Sequence, residues 1–232
     1  MKMPLALVYF DQKLEEKRKH HEVEDSLVNI WKRYYKRNNL RFDPYLLLPS
    51  EQEKPKNWIF DTIEVIDSEP PYKLDVLHKV GWIKSQAFEL LGTCVVSDLD
   101  CIFVNYFDCE FLKDYTMAMP KDISRRTYAN WPEIKEELNA GFIFQNSKLI
   151  KNKFKEYWQS KSEFSKITYF DEIIFSAILY DIKGIILDES FNVSWDINQD
   201  KTIYSKFFEK NNKIIHFNGI RKKNIYKLLQ LI

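Results

Sequence analysis

The sequence contains the run CVVSDLDCIFV at residues 94–104, in which Asp98 and Asp100 stand between two apolar segments. A strand buried on both faces of a sheet reads as a continuous apolar run, as residues 94–97 do. Open α/β sheets bind ligands at the carboxyl ends of their strands. Two carboxylates there can hold a hard divalent cation, which in turn binds phosphate oxygens. The run therefore predicts metal-dependent chemistry on a diphosphate.

The Asp-x-Asp spacing is not specific by itself, since roughly one such pair is expected by chance in a chain of this length. A solvated turn or a helix cap is the alternative interpretation, because Asp is common in both. The context of the pair in the rest of the chain has to decide between them.

Segments on either side of this run alternate between strand-like and helix-like patterns. Gly92 is expected to cap the helix that precedes Asp98, and Asn146 or Ser147 to begin a later one. Such alternation is typical of a doubly wound α/β sheet. The predicted strands are 5–10, 45–48, 63–66, 94–98, 139–144, 184–187 and 213–217, and the predicted helices are centred on 27–35, 82–91, 150–158 and 173–180.

Composition limits the class of protein. The 232 residues suffice for one large domain with a sizeable core, and 45% hydrophobic content excludes a disordered chain. The net charge of +1 argues against a dedicated electrostatic DNA binder. With five glycines and no Gly-rich phosphate loop, the Rossmann and Walker A patterns are absent.

The three cysteines, Cys94, Cys101 and Cys109, have neither a disulfide nor a zinc-site spacing. We expect buried free thiols in a reducing cytoplasm. The apolar segment at 5–10 is too short for a signal sequence or a membrane span, so a soluble or peripheral protein is expected.

Four polar groups stand at the edges of apolar segments, and each has a plain structural alternative. If these groups had no functional role, His216 would be a core histidine, and Asn139 and Gly141 would form a turn. Asp171 would cap a helix, and the basic residues near position 222 would form a solvated helix end. The four groups are Asp98 with Asp100, Asn139 with Gly141, Asp171 with Glu172, and His216 with Lys222.

Taken in order, these groups resemble the GT-A nucleotide-sugar glycosyltransferases, and most closely glycosyltransferase family 8, which includes glycogenin-like and lipopolysaccharide galactosyl- and glucosyltransferases. The family has Asp-x-Asp after a buried strand, Asn-x-Gly before a later strand, and an Asp at the start of the next helix. Residues 216–222, HFNGIRK, match its His-Phe-x-Gly-x-x-Lys motif. This chain departs from the family at Glu172, where Gln is usual, and in lacking Pro-Trp after Lys222.

The resemblance implies a single GT-A domain over 1–223, with a Rossmann-like, mostly parallel central sheet flanked by helices. It also implies Mn²⁺ (or Mg²⁺) as cofactor, because imidazole among the ligands favours the softer ion. Asp100 and His216 would bind the metal, Asp98 the metal and the ribose, and Lys222 the diphosphate.

The remaining implied roles concern the donor and the reaction. Asn139, Gly141 and Asp171 would line the sugar pocket, and Asp171, Glu172 and Asn139 are the catalytic candidates. Tyr9, Lys84 and Gly219 complete the predicted donor site. The implied reaction moves a hexose from a nucleotide-diphosphate sugar to a hydroxyl, with UDP as the expected nucleotide. The anomeric configuration would be retained. If the enzyme inverted it instead, Asp171 or Glu172 would serve as the base.

The acceptor stays open among a glycan, a lipid-linked saccharide and a modified DNA base. Residues 224–232 form an amphipathic basic pattern that fits either an anionic membrane surface at the inner face or docking on its own domain. Arg125, Arg126 and Trp131 would favour a nucleic-acid acceptor. A catalytically degenerate GT-A binding protein is the non-enzymatic alternative, and a nucleotidyltransferase is disfavoured because 10–13 carries no Gly-rich or basic signature.

Overall fold

Apolar runs of the sequence form ten strands in the computed structural model, which describes residues 2–8, 29–31, 33, 42–49, 54, 58–65, 76–122, 134–136, 138–160, 170–194 and 209–217. The strands are β1 (Met3–Val8), β2 (Phe42–Pro49), β3 (Asp61–Val65), β4 (Cys94–Asp98), β5 (Cys101–Phe103), β6 (Met117–Pro120), β7 (Phe142–Gln145), β8 (Ile185–Leu187), β9 (Val193–Ser194) and β10 (Ile214–His216).

Seven of these strands form the main sheet, in the order β3-β2-β1-β4-β7-β6-β8. The pairs β3–β2, β2–β1, β1–β4 and β6–β8 are parallel, and the two pairs made by β7 are antiparallel. The predicted mostly parallel α/β sheet is therefore confirmed.

The central strands of the main sheet are buried on both faces, as the continuous apolar runs predict, whereas the edge strand β3 is largely exposed. In β1, Leu5 and Leu7 pack in one hydrophobic cluster while Ala6 and Val8 pack in the other, because successive side chains of a strand point to opposite faces. Each fully buried Leu or Val contributes on the order of 1.5–3 kcal/mol to the hydrophobic free energy of folding.

Four α-helices are described over their full length, α1 (Val76–Ser85), α2 (Ala87–Leu91), α3 (Leu149–Ser160) and α4 (Phe170–Asp181), and the described residues 29–31 and 33 are also helical, as predicted. The prediction of one helix at 82–91 is wrong in detail, since helix begins at Val76 and is interrupted at Gln86. The predicted caps are confirmed. Gly92 adopts a φ of +73° and its N–H donates to Phe88 O at 2.8 Å, and the N–H of Leu149 donates to Ser147 Oγ at 3.1 Å.

A second sheet, in the order β5-β10-β9, lies beyond the end of β4. Strand β10 pairs antiparallel with β5 and parallel with β9. The sequence patterns indicated β10 but not this sheet, because strands of two or three residues are too short to show a period. None of the described helices is long and apolar enough to cross a membrane.

The sheet topology brings distant segments to one edge. Because β7 runs antiparallel to β4, with Ser97 opposite Phe142, the residues before β7 lie beside the carboxyl end of β4. The N–H of Asp98 donates to Gly141 O at 3.0 Å, which joins the two segments directly.

Candidate active site

The two predicted acidic residues lie at the turn that links the sheets. Strand β4 ends at Asp98, and a two-residue turn over Leu99 and Asp100 leads into β5. Both turn carbonyls are hydrogen bonded: Trp31 Nε1 donates to Leu99 O at 2.8 Å, and Phe217 N donates to Asp100 O at 2.9 Å. The turn is thus held from both sides, which fixes the direction of its carboxylates.

His216 lies against this turn because β10 pairs with β5. His216 is the register partner of Cys101, and partners in an antiparallel pair place their side chains on the same face. His216 Nε2 lies 3.5 Å from Asp100 Oδ1, and ligand atoms of Asp100, Cys101 and His216 lie within 4.8 Å of one another. All three residues are buried, and burial, followed by the charges of Asp100 and Asp98, raises the pKa of the Cys101 thiol well above its usual range.

Asn192 sets the orientation of the imidazole. Its Nδ2 donates to Lys121 O at 3.0 Å, so its Oδ1 faces His216 Nδ1 at 3.1 Å. An amide oxygen is only an acceptor, so Nδ1 carries the proton and donates. In the neutral ring, the lone pair of Nε2 then faces the carboxylate of Asp100.

This arrangement fits a divalent cation. His216 Nε2 and Asp100 Oδ1 are buried and lie 3.5 Å apart, a separation at which both atoms can bind one cation. Carboxylate and imidazole suit Mn²⁺, and a hydrogen-bonded partner on the second ring nitrogen is what metal-binding histidines commonly have.

Lys84, at the end of α1, is a buried cation with three oxygen neighbours. Its Nζ lies 2.8 Å from Asp98 Oδ1 and 3.8 Å from Asp171 Oδ2, and it donates to Ala140 O at 3.0 Å. Burial alone would lower the pKa of Lys84, but the charges of Asp98, Asp171 and Glu172 outweigh it and raise the pKa. Lys84 therefore carries its charge at neutral pH.

The residues before β7 and at the start of α4 form the adjoining polar wall. Asn139 Oδ1 accepts from Gly141 N at 2.8 Å, and Asn139 Nδ2 donates to Glu172 Oε1 at 3.2 Å. A Cβ on Gly141 would lie only 2.5 Å from His216 Cε1 and 2.7 Å from Cys101 Sγ. Glycine is needed there because the backbone passes directly over the imidazole and the thiol.

A second glycine allows α4 to approach α1. A Cβ on Gly81 would lie 2.6 Å from the Cβ of Asp171. The close approach of the two helices lets the side chain of Asp171 reach the ammonium group of Lys84 at 3.8 Å.

Most of the predicted site residues therefore meet at one edge of the main sheet. Those brought together are Lys84, Asp98, Asp100, Asn139, Gly141, Asp171, Glu172 and His216. Tyr9, Gly219, Lys222, the loop residues Arg125, Arg126 and Trp131, and the predicted helix at 224–232 lie outside the described residues.

Comparison with known proteins gives structural matches alone: no protein-family profile and no curated sequence matches the chain. The galactosyltransferase LgtC, in complex with donor and acceptor sugar analogues, superposes with a TM-score of 0.60 at 12% identity, over 99% of this chain and 96% of that one. An active-site Gln-to-Glu mutant of LgtC gives a TM-score of 0.62 with the same identity and coverage. The apo glycosyltransferase GlyE of Streptococcus pneumoniae TIGR4 gives 0.60 at 14% identity, over 95% of this chain and 55% of that one.

The chain has a GT-A fold. The likeness to LgtC extends over nearly the whole of both chains, so the GT-A fold here includes the small sheet that carries His216. The fold predicted from the order of the sequence motifs is confirmed.

Two residues at this edge of the GT-A fold were not predicted to take part in the site. Asn192 lies in a polar segment without a distinguishing pattern, and only the pairing of β9 with β10 brings it beside His216. Cys101 was expected to be a buried free thiol, which is confirmed, but its position opposite His216 depends on the register of β10.

Proposed function

We propose that this protein is a metal-dependent, retaining glycosyltransferase. It would move a hexose from a nucleotide-diphosphate sugar, with a UDP-sugar as the expected donor, to a hydroxyl acceptor. The observation that carries the proposal is the meeting of Asp98, Asp100 and His216 at the carboxyl end of β4, beside the buried cation Lys84. The shared fold with LgtC, whose complex holds donor and acceptor sugar analogues, supports the same class of substrate.

The metal site would consist of Asp98, Asp100 and His216, with Mn²⁺ (or Mg²⁺) as the ion. When bound, the ion would act as a Lewis acid on the diphosphate oxygens. The carboxylates and the imidazole would hold the ion at the edge of the sheet, where it would meet the diphosphate end of the donor, and Asp98 would also contact the ribose. Lys222, by its match to the family motif, would add a positive charge at the leaving diphosphate.

The polar wall would hold the sugar. Asn139 and Asp171 offer amide and carboxylate groups that can grip hydroxyls by hydrogen bonds. The ammonium group of Lys84 lies 3.8 Å from Asp171 Oδ2 and would help to hold that carboxylate in place. Gly141 lets the backbone pack directly against the imidazole at the edge of the sugar pocket, and Tyr9 and Gly219 would complete the donor site.

In the retaining reaction proposed here, the leaving phosphate can accept the proton of the acceptor hydroxyl. The side chains at the site then need only to orient the sugar and to exclude water. Glu172 lies within hydrogen-bond distance of Asn139, so its main role would be to orient that amide. In an inverting reaction Asp171 or Glu172 would instead remove the proton.

The proposed acceptor is a glycan or a lipid-linked saccharide, with a modified DNA base as the alternative. The proposed compartment is the cytoplasm, with peripheral contact at the inner membrane face through residues 224–232. Liposome co-sedimentation with and without these residues tests that contact, and equal pelleting of both forms would exclude it.

Thermal shift with a panel of UDP-sugars, with and without Mn²⁺, tests the donor site. A donor at 100 times its Kd stabilises the native state by about 2.7 kcal/mol, which is roughly 5–10 °C for a chain of this size. We expect a Mn²⁺-dependent shift in the wild type and none in Asp100→Ala. Asp114→Ala, which removes an exposed carboxylate away from the site, is the matched control and should keep the shift. No shift with any nucleotide sugar would favour a degenerate binding protein.

A further inference from the structure

We propose that Cys101 is a ligand of the cation site together with Asp100 and His216, and that the site therefore binds Zn²⁺ and Co²⁺ more tightly than Mn²⁺ or Mg²⁺. The inference deepens the proposed function, on which it rests for the use of Asp100 and His216. It assigns the thiol a role, and it narrows the identity of the metal.

The first argument is the geometry of the three ligand atoms. Cys101 and His216 are register partners, and their side chains lie on one face of the small sheet. An oxygen of Asp100, the sulfur of Cys101 and a ring nitrogen of His216 lie within 4.8 Å of one another. Around a tetrahedral ion with bonds of about 2.0–2.3 Å, ligand atoms are about 3.3–3.8 Å apart. The 3.5 Å between His216 Nε2 and Asp100 Oδ1 falls in this range.

The second argument is charge. The three side chains are buried, with exposures of 7% for Asp100, 1% for Cys101 and 3% for His216. One carboxylate, one thiolate and one neutral imidazole supply two negative charges, which balance a dication without leaving net charge in the interior. Asp98, the other acidic residue of the turn, already pairs with Lys84 at 2.8 Å.

The third argument is the support around the ligands. Asn192 holds the proton of His216 on Nδ1, which leaves Nε2 for the metal. The backbone of Gly141 closes over both the imidazole and the sulfur, and its carbonyl accepts from Ser97 Oγ at 3.1 Å, which holds this segment in place. On coordination the sulfur–metal bond forms, the S–H bond breaks, and the proton passes to solvent, since a coordinating thiol is held deprotonated by the ion.

The preference for metals follows from the donor set. Thiolate is a soft ligand that favours Zn²⁺ over the harder Mn²⁺ and Mg²⁺. An Asp-His site without the sulfur would also rank Zn²⁺ above Mn²⁺, so the ranking alone does not test the proposal. The proposal is tested by the change in the Zn²⁺-to-Mn²⁺ preference when Cys101 is replaced.

Co²⁺ titration followed by absorption spectroscopy tests the sulfur ligand directly in the full chain. We expect a near-ultraviolet thiolate-to-cobalt charge-transfer band in the wild type. The band should be retained in the controls Cys94→Ser and Cys109→Ser, which alter the other two buried thiols. The band should be lost in Cys101→Ser and in Cys101→Ala. The Ala variant controls for a folding defect caused by serine, and circular dichroism checks the fold of each variant.

Competition titrations give the second readout. Replacement of Cys101 by Ser should reduce the Zn²⁺-to-Mn²⁺ affinity ratio by more than about tenfold. Co²⁺ binding without a charge-transfer band, no Co²⁺ binding by the wild type, or an unchanged ratio in Cys101→Ser would overturn the inference. If UDP-sugar binding with Mn²⁺ persists in any of these cases, the proposed function stands while the thiol ligand is rejected. If donor binding fails as well, both are rejected.

Discussion

Asn192 Oδ1 accepts a hydrogen bond from His216 Nδ1 at 3.1 Å, and the same amide is fixed through its Nδ2 to a backbone carbonyl. A single side chain therefore determines which nitrogen of the imidazole faces Asp100. Asn192 is 1% exposed and carries no charge, so it contributes to the site by orienting the imidazole of His216.

Replacing Asn192 with Leu should weaken binding of Mn²⁺ by about 10–100-fold, because the acceptor that holds the tautomer is lost. Asn192→Asp keeps an acceptor for Nδ1 but loses the donor to Lys121 O, so it should retain more of the metal affinity than Leu does. Isothermal titration measures the affinity, and nitrogen NMR of the imidazole reports the tautomer. Equal metal affinity in the wild type and the Leu variant would refute the positioning role.

Replacing Lys84 with Met should lower the free energy of unfolding by about 3 kcal/mol or more, because Asp98 and Asp171 would lose their buried counter-charge. The pKa of Lys84 is raised, so its contribution is complete below the unfolded value of about 10.5 and is lost only as pH rises through the folded value. The loss in Lys84→Met should therefore be the same at pH 7 and pH 9.

Urea denaturation at both pH values measures this effect. Lys113→Met, which removes an exposed ion pair with Glu110, is the control and should cost less than about 1 kcal/mol. A loss in Lys84→Met no larger than in this control would show that the buried contacts contribute little.

Replacing Gly141 with Ala should reduce metal affinity more than tenfold, because a Cβ 2.5 Å from His216 Cε1 must displace the ring. The cost in stability should be about 1–3 kcal/mol, as for other overpacked sites. Gly92→Ala is the control. Its φ of +73° and ψ of −151° make alanine unfavourable by about 1–3 kcal/mol, yet its Cβ meets nothing within 4 Å, so metal binding should not change.

Replacing Glu172 with Gln separates orientation from proton transfer. Gln keeps an acceptor for Asn139 Nδ2, so the retaining reaction should continue within about tenfold of the wild-type rate. Loss of a general base would instead cost about 10²–10⁴-fold. The assay is hydrolysis of the UDP-sugar that gives the largest thermal shift, with proton NMR of the anomer first released. An inverted product from the wild type, together with a loss above 100-fold in Glu172→Gln, would identify Glu172 as the base.

The buried thiols predict loss of stability at alkaline pH. Burial raises the pKa of Cys94 from 9.0 to about 12, so the unfolded chain releases its proton first and stability falls as pH rises from 9 toward 12. Between pH 8 and pH 10 this thiol should account for about 1.4 kcal/mol. Urea midpoints at the two pH values measure the fall, which Cys94→Val should reduce by that amount; an unchanged fall would contradict the assignment.

Much of the fold could be predicted because its strands are buried on both faces. Residues 94–98 and 142–145 read as apolar runs, and caps such as Gly92 and Ser147 mark helix ends. The break at Gln86 left no comparable mark. Strand β10 was predicted, but the small sheet was not, because strands of two or three residues are too short to show a repeated alternation.

The site could be predicted to the extent that its residues form local motifs. Asp98, Asp100, Asn139 and His216 each stand at the edge of an apolar segment. The residues that contact and orient these side chains do not lie in such local motifs. Asn192 and Cys101 become part of the site only through the register of β10 with β9 and β5, and register is a property of the folded sheet.

The pairing of β10 with β5 also sets an order of assembly during synthesis. More than a hundred residues separate His216 from Cys101, so the acidic turn leaves the ribosome long before its histidine does. Contacts of such high sequence separation form late because the intervening chain must first be closed into a loop. The nascent chain can build the main sheet around β1 and β4 while its cation site is still incomplete. Capture of the proposed metal would thereby be delayed until nearly all of these 232 residues have been translated.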